Sequence, residues 1–576
     1  MLRRLGSWFI LAILTLVVFP VDSLAATKPN IILITIDSTR ADRMGFLGAR
    51  GGLTPSLDAI AHQGIAFAQA YAQAPSTVVS NATILTGTYP QTNRASEFAV
   101  PLATTLPYLP ALLHANGYRT AAFVGSILLD PRSGPFQGYD RGFDVYDAGF
   151  HEAHRGESAL QSVERHGDQV VSRATRWLSG TKQRPFFVWV NLHDPCAPYG
   201  ASYDRAVTSA DAAIGKLVAI LRSLALYDDA LIVIASSHGE SLGAHGEDTH
   251  GIFLYDETIH VPLLLKLSKN EMAGKQIKNR ARLLDIAPTV LAAAGIPVPA
   301  QMQGQSLMRI ARSSSQADQP AYARSELPQQ GFGCSVLESW RAGKYLYIRA
   351  PKPELYDMSA DPTATRNLAQ SAKATLETLA SQLQAFDRHV GNEPGKLASS
   401  GLTSSEMQKL ASLGYVGLQR GGTGVNAAAE GTDPKDAIVL VNKALAAILD
   451  LDDGKPEKAV PLLRQVLSAQ PNMYFAQYGI GAALVQQQQY AEAIGYLHKA
   501  IELQPDSAWA HYAMGVSLMK TGDFKTSAVH LEIASGRLPG FSGLHSALAE
   551  VYEHLGRGPD AARERARTSQ EQSSKK

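Results

Sequence analysis

The sequence predicts an α/β layered domain built on a largely parallel sheet, followed by an all-α domain of repeated helix pairs. The first part is predicted by five short apolar runs separated by segments of helical period, as in a strand–helix alternation. The runs are continuously apolar instead of alternating, which suits strands buried on both faces. The second part is predicted by a 34-residue period near the C-terminus. A chain of 576 residues is too long for one hydrophobic core. A formal net charge of +1 gives no polyanion-binding signal, so a nucleic-acid partner is not expected.

Residues 1–26 read as a signal peptide. Arg3 and Arg4 precede an apolar segment, Trp8 to Val21, and small residues at Ser23-Leu-Ala-Ala26 suit cleavage. That segment is shorter than the ~20 residues of a membrane span. The expected location is therefore the periplasm or cell envelope, with membrane attachment only if the segment stays uncleaved. Two cysteines, Cys196 and Cys334, are too few for a disulfide scaffold and leave room for one bridge.

Within the first domain, residues 28–390, the strand-like runs are Ile31–Ile36, Thr120–Val124, Phe186–Val190, Ala230–Ala235 and Val261–Lys266. Helical patterns fall at Leu106–Asn116, Ala206–Leu224 and Ala281–Ala294. In sheets of this type ligands bind beyond the carboxyl ends of the strands. Asp37 follows the first run, His193 the third and His238 the fourth, so residues distant in sequence are expected to meet at one sheet edge. The segment Ser237-His238-Gly239-Glu240, with His245 and His250 beyond it, concentrates imidazoles there. Histidines at a strand end suit a metal, an anion or both.

Residues 391–432, rich in Gly, Ser and Ala, read as a linker with a helical island at Ser404–Leu413. Beyond it, in residues 433–570, Pro471, Pro505 and Pro539 are spaced by 34, as are Gly481, Gly515 and Ala549, and Tyr490 and Phe524. Small residues where helices touch and a proline ending each pair match the tetratricopeptide repeat, which commonly binds a protein partner in a concave groove.

Four segments resemble the sulfatase family of the alkaline phosphatase superfamily: Lys28–Asp42, Ala74–Pro90, Asn191–Tyr199 and Ser237–Glu240. Trp340–Ile348 and Pro353–Pro362 are similar to that family's C-terminal subdomain. The resemblance implies a hydrolase of sulfate or phosphate esters with one divalent ion (Ca, Mg, Mn or Zn), held by Asp37, Thr77 and His238, with Ser237 in the place of an acidic ligand. It implies that Thr77, nine residues before Thr86-Gly87, stands where the family nucleophile stands. The usual sulfatase has Cys-x-Pro-x-Arg there, oxidised to formylglycine. Thr77-Val-Val-Ser-Asn81 has no cysteine, so the resemblance is to relatives with a threonine nucleophile, which form a covalent ester that water cleaves. His193, His245 and His250 match positions touching the transferred group, and Arg40 and Asn81 would contact its oxygens. Cys196 replaces a second family histidine. Two other readings fit the same residues: a catalytically degenerate scaffold whose repeats bind a protein partner, and a head-group transferase using the same nucleophile.

Overall fold

The structure, a computed structural model, describes residues 28–95, 102–131, 137–148, 165–181, 183–195, 202–312, 318–390, 409–410, 413 and 431–574. The expected signal peptide, most of the expected linker and Cys196 lie outside the described residues.

An eight-stranded sheet forms the centre, in the order β5 (Val145–Asp147), β4 (Arg119–Val124), β6 (Phe186–Leu192), β1 (Ile31–Ile36), β7 (Leu231–Ser236), β8 (Leu263–Lys266), β2 (Ile65–Phe67) and β9 (Lys275–Ile277). The five strands from β5 to β7 run parallel. Successive residues of the central strands enter opposite layers. Ile31, Leu33, Phe187, Trp189 and Val233 face one core, and Ile32, Ile34, Val188, Val190 and Ile232 the other. That two-sided burial explains the unbroken apolar runs.

The fifth run departs from the parallel expectation, because β8 is antiparallel to β7. The chain leaves β7 at the sheet's carboxyl edge and re-enters from that same edge, so no crossover reverses its direction. The expected helix at Ala281–Ala294 starts later. Ala281–Arg282 form a short strand, β10, paired with β3 (Ala70–Tyr71). The Asp285 carboxylate accepts from the Arg282 amide at 2.9 Å, and helix α5 then spans Ile286–Ala293. Other layer helices are α1 (Thr77–Thr86), α2 (Leu109–Ala115), α3 (Gly167–Gly180) and α4 (Tyr203–Ser223). Ser202 caps α4 by accepting from the Arg205 amide.

The Lys266 side chain is fully buried, and its ammonium donates to the carbonyls of Tyr227, Asp228 and Ala230, closing the turn before β7. Lys266→Met leaves three carbonyls without that donor. It is expected to lower unfolding free energy by about 2–3 kcal/mol, read from urea denaturation.

A four-stranded antiparallel sheet follows, β11 (Ala321–Ser325), β12 (Leu337–Ala342), β13 (Tyr345–Arg349) and β14 (Glu354–Asp357), with helix α6 (Lys373–Val390) against it. Cys334 is a buried free thiol whose pKa burial pushes up to about 11.

The repeat domain comprises α7 (Pro434–Asp452), α8 (Pro456–Ala469), α9 (Tyr474–Gln486), α10 (Tyr490–Leu503), α11 (Ala508–Lys520), α12 (Phe524–Ser535), α13 (Ser542–His554) and α14 (Gly558–Ser574). A side chain at Gly481 or Gly515 would strike Leu497 or Leu531 of the paired helix, which explains the small residues there. The period also governs polar contacts. Gln477, His511 and His545, again 34 apart, bond the carbonyls of Pro471, Pro505 and Pro539 at 2.8, 2.8 and 2.9 Å. The array packs on the first domain: Phe475 lies against Gly331, and Gln504 donates to the Gln330 carbonyl at 2.6 Å. Among the described residues no helix is long and apolar enough to cross a membrane.

Candidate active site

Register places the site. Ile36 pairs with Leu192 on one side and with Ser236 on the other, so the next residues of three parallel strands, Asp37, His193 and Ser237, lie level at the carboxyl edge. The Asp37 amide donates to the Leu192 carbonyl at 2.9 Å and the Ser237 amide to the Ile36 carbonyl at 2.8 Å, extending the ladder into the site.

Asp37 and Ser237 are fully buried. Ser237 Oγ lies 2.6 Å from Asp37 Oδ1 and 2.9 Å from His238 Nδ1, while Ser38 Oγ lies 3.2 Å from His238 Nε2. A carboxylate only accepts, so the Ser237 hydroxyl donates to Asp37. Its oxygen then receives the Nδ1 proton of His238, and the bare Nε2 accepts from Ser38. Burial holds the His238 pKa well below its usual range, and the neighbouring His250 and His193 push it the same way. A neutral imidazole fits this direction of bonding. Ser38 has φ of 52°, a left-handed conformation costly for a side chain with Cβ, and Tyr203 steadies it by donating to its carbonyl at 2.7 Å.

Two carboxylate–imidazole pairs flank His238. Asp37 Oδ2 accepts from His193 Nδ1 at 3.1 Å, and Glu240 Oε2 from His250 Nδ1 at 3.0 Å. Both carboxylates are fully buried, whereas the imidazoles of His193 and His250 are 24% and 23% exposed. In each pair the Nδ1 proton is fixed on the carboxylate, which makes Nε2 the basic nitrogen. The His250 ring lies 4.3 Å from that of His238, so the pairs belong to one cluster. Glu240 Oε1 is buried with no hydrogen-bond partner. Gly239 between them has a backbone reason: a Cβ there would collide with the Glu257 carbonyl, against which this segment runs.

Four further residues are placed differently. Arg40 bonds both Asp42 oxygens, at 2.9 and 2.7 Å, and the carbonyls of Glu240 and Ser241. Its described role is to tie down the segment after β7. His245, at φ of 54°, stacks on Tyr255 at 3.6 Å and lies 3.9 Å from Glu257. Thr77 begins α1 and is buried. Asn81 Nδ2 donates to the Thr77 carbonyl at 2.8 Å, while Asn81 Oδ1 and the Ser76 hydroxyl are buried without partners. Ser76 precedes the helix but makes no side-chain cap, so the first-turn amides of α1 have no partner from it.

Sequence reasoning misses Asn191. Its amide reaches both Asp37 oxygens at 3.4 Å, and its oxygen accepts from Gly125 and Ser126. The signal is present, since Asn191 is two residues before His193 and a strand repeats every two.

A divalent ion at this edge would need several oxygen ligands, mostly anionic. Among the described residues, no three His, Cys, Asp or Glu side chains are gathered to hold one. Asp37 already accepts from a hydroxyl, an amide and an imidazole, and both nitrogens of His238 face hydroxyls. As arranged, this donor set does not fit a divalent cation. Asp37, Ser237 and His238 instead bond one another and their neighbours.

Residues 29–296 match the family model described as Sulfatase, residues 246–389 that described as N-sulphoglucosamine sulphohydrolase, C-terminal, and residues 481–522 that described as TPR repeat. The chain is 25% identical over 411 residues to the ulvan-active sulfatase of Formosa agariphila, covering 62% of this chain and 80% of that one. It is 26% identical over 423 residues to the Delta 4,5-hexuronate-2-O-sulfatase of Bacteroides thetaiotaomicron, covering 61% and 86%. Arylsulfatase K of Homo sapiens is 30% identical over 183 residues, 29% of this chain and 33% of that one. A phosphonate monoester hydrolase of Agrobacterium radiobacter shares the fold with a TM-score of 0.53 at 20% identity, covering 63% and 96%. A 2-O GAG sulfatase does so with 0.53 at 19%, covering 64% and 94%. Proteins of this family generally use a divalent metal ion, and the family match and relatives together support a sulfuric ester hydrolase. The chain therefore carries a sulfatase domain followed by tetratricopeptide repeats.

Proposed function

We propose that the chain is an exported hydrolase of sulfate esters, with phosphate esters as a second class, in which Thr77 is the nucleophile and His193 and His250 move the protons. The observation that carries this reading is the twin arrangement of buried carboxylate and part-exposed imidazole, Asp37 with His193 and Glu240 with His250. Each imidazole is held in one tautomer and presents a basic nitrogen, the form that general acid–base catalysis needs. The uncapped start of α1 adds amide donors of the kind that attract an oxyanion beside the Thr77 hydroxyl.

In the first step a bond forms between Thr77 Oγ and the sulfur, and the bond from sulfur to the leaving oxygen breaks. The threonine proton passes to the Nε2 of one neutral imidazole, and the leaving oxygen takes a proton from the other, which enters the step as imidazolium beside its carboxylate and leaves it neutral. Water then attacks the sulfur and the bond from sulfur to Thr77 Oγ breaks; the imidazole left neutral by the first step takes the water proton, and the other returns its proton to Thr77 Oγ, which restores both groups. The metal ligation expected of Asp37, Thr77, His238 and Ser237 has no part in these steps. Sulfate esters come first because the chain is similar over most of their length to an ulvan-active sulfatase and a Delta 4,5-hexuronate-2-O-sulfatase. The signal-like N-terminus favours the periplasm or cell envelope, and the repeats favour a protein partner there.

The purified full chain is expected to hydrolyse p-nitrophenyl sulfate, p-nitrophenyl phosphate or a phosphodiester analogue, and Thr77→Ala to lower kcat at least ~10³-fold. The second reading, a degenerate scaffold, draws on one observation: a hydroxyl, Ser237, fills an acidic ligand's place. Equal inertness of wild type and Thr77→Ala would select it.

A further inference from the structure

The loop carrying His245 and His250 is held from outside its own domain. Between Ser241 and Gly251 the backbone takes left-handed conformations at Leu242, Gly243, His245 and Gly246, with φ of 55°, 84°, 54° and 86°. Leu242 and His245 hold that conformation despite a Cβ, at a cost the surroundings must offset. Helix α7, the first of the repeat domain, lies against this loop. Asn442 Nδ2 donates to the Gly246 carbonyl at 2.7 Å, and Asn442 Oδ1 accepts from the Asp248 amide at 3.4 Å. Ile438 rests against Gly246. Lys435 bonds Glu354 Oε1 at 2.6 Å, Tyr255 donates to Glu354 Oε2 at 2.6 Å, and the Tyr255 ring stacks on His245. Residues 435, 438 and 442 are spaced i, i+3 and i+7, which is one face of a helix.

We infer that this face of α7, through Asn442 above all, positions the His245–His250 loop, so that the repeat domain completes the sulfatase site. Asn442 is a positioning residue: it touches the backbone on both sides of Glu247 and acts on the reaction through His250. The inference rests on the proposed function only in so far as His250 serves the reaction; the clamp itself does not depend on turnover.

The test uses the full chain with Asn442→Ala, Asn442→Asp and a control, Trp509→Ala, at an exposed site elsewhere in the repeats. Hydrogen exchange is followed at the bonded amides of Ser241, Gly243, Ala244 and Glu247, with β1 and β7 as internal references. Asn442→Ala is expected to speed the loop amides about tenfold and leave the strands unchanged. Asn442→Asp, which keeps the acceptor for Asp248, is expected to fall between. Hydrolysis of p-nitrophenyl sulfate is expected to lose about tenfold in kcat with KM within about twofold in Asn442→Ala, and nothing in Trp509→Ala. Loop exchange equal to wild type in both Asn442 variants overturns the clamp, whatever the activity. Faster exchange with unchanged kcat overturns the loop's part in the reaction and leaves the rest of the proposed site standing. If wild type has no turnover, the proposed function fails while the exchange result still decides the clamp.

Discussion

Asp37→Asn is expected to lower kcat for a p-nitrophenyl ester by about 10³–10⁴-fold with little change in KM, the scale seen when a carboxylate that fixes a catalytic imidazole becomes an amide. The reason is directional. Asp37 accepts from Ser237, Asn191 and His193 together. An amide at that position offers one acceptor oxygen and one donor group, so at least one of these bonds meets a donor face to face. If His193 is the one displaced, its ring turns to the other tautomer and Nε2 carries the proton, which removes the base. If Ser237 is displaced, the order of protons through His238 to Ser38 is broken. The fold is expected to survive with a loss of about 1–3 kcal/mol, the cost of a buried unsatisfied group. Thermal melting beside kinetics separates the two effects: a large fall in kcat in a protein that still melts cooperatively is the expected pattern.

Ser237→Asp is expected to create a divalent-ion site where the natural chain has a hydrogen-bond network. The new carboxylate would stand within contact of Asp37, and two carboxylates so close cannot both be charged without a cation between them or a proton shared. We expect calorimetry to show Ca²⁺ or Mg²⁺ binding at least ~10²-fold tighter than in the wild type, because a second anionic oxygen replaces a neutral hydroxyl. Melting temperature should rise with ion concentration in the variant, as mass action requires of a ligand that binds only the folded state. The wild type should show no comparable rise. Micromolar binding by the wild type would mean that the ion displaces the Ser237 and Ser38 hydroxyls and that the network is not the resting arrangement.

The fold is legible in the sequence where the chain is buried on two faces. Ile31–Ile36 and Leu231–Ser236 are strands because unbroken β-branched runs of that length have few alternatives, and the 34-residue period of Pro471, Pro505 and Pro539 leaves little freedom for the second domain. The direction of β8 is not legible, since hydrophobicity carries no sense of direction and only the return path through the site loop sets it. The start of α5 is not legible either, because Ala281-Arg282-Leu283 is as helix-compatible as the Ile286–Ala293 segment; a side-chain bond from Asp285 decides it. For the site, strand-end positions point to Asp37, His193 and His238 meeting, and β-sheet register brings Asp37 and His193 level with Ser237, the residue before His238. Sequence cannot say that Ser237 bridges Asp37 and His238, that Glu240 pairs with His250, or that the Arg40 guanidinium is engaged by Asp42 and two carbonyls. Those are partnerships across 200 or 201 positions or within a short segment, and spacing alone does not encode them. The hold of Asn442 on the histidine loop is hidden for the same reason, with an intervening segment that reads as a spacer.

Whether a threonine ester forms is decided by the mass of the peptide containing Thr77 after the full chain is mixed with p-nitrophenyl sulfate and quenched in acid. A fraction of that peptide is expected to be heavier by one sulfuryl group, located on Thr77 and missing from Thr77→Ala. Release of p-nitrophenol with an unmodified Thr77, or with the added group on any other residue, would contradict a threonine nucleophile.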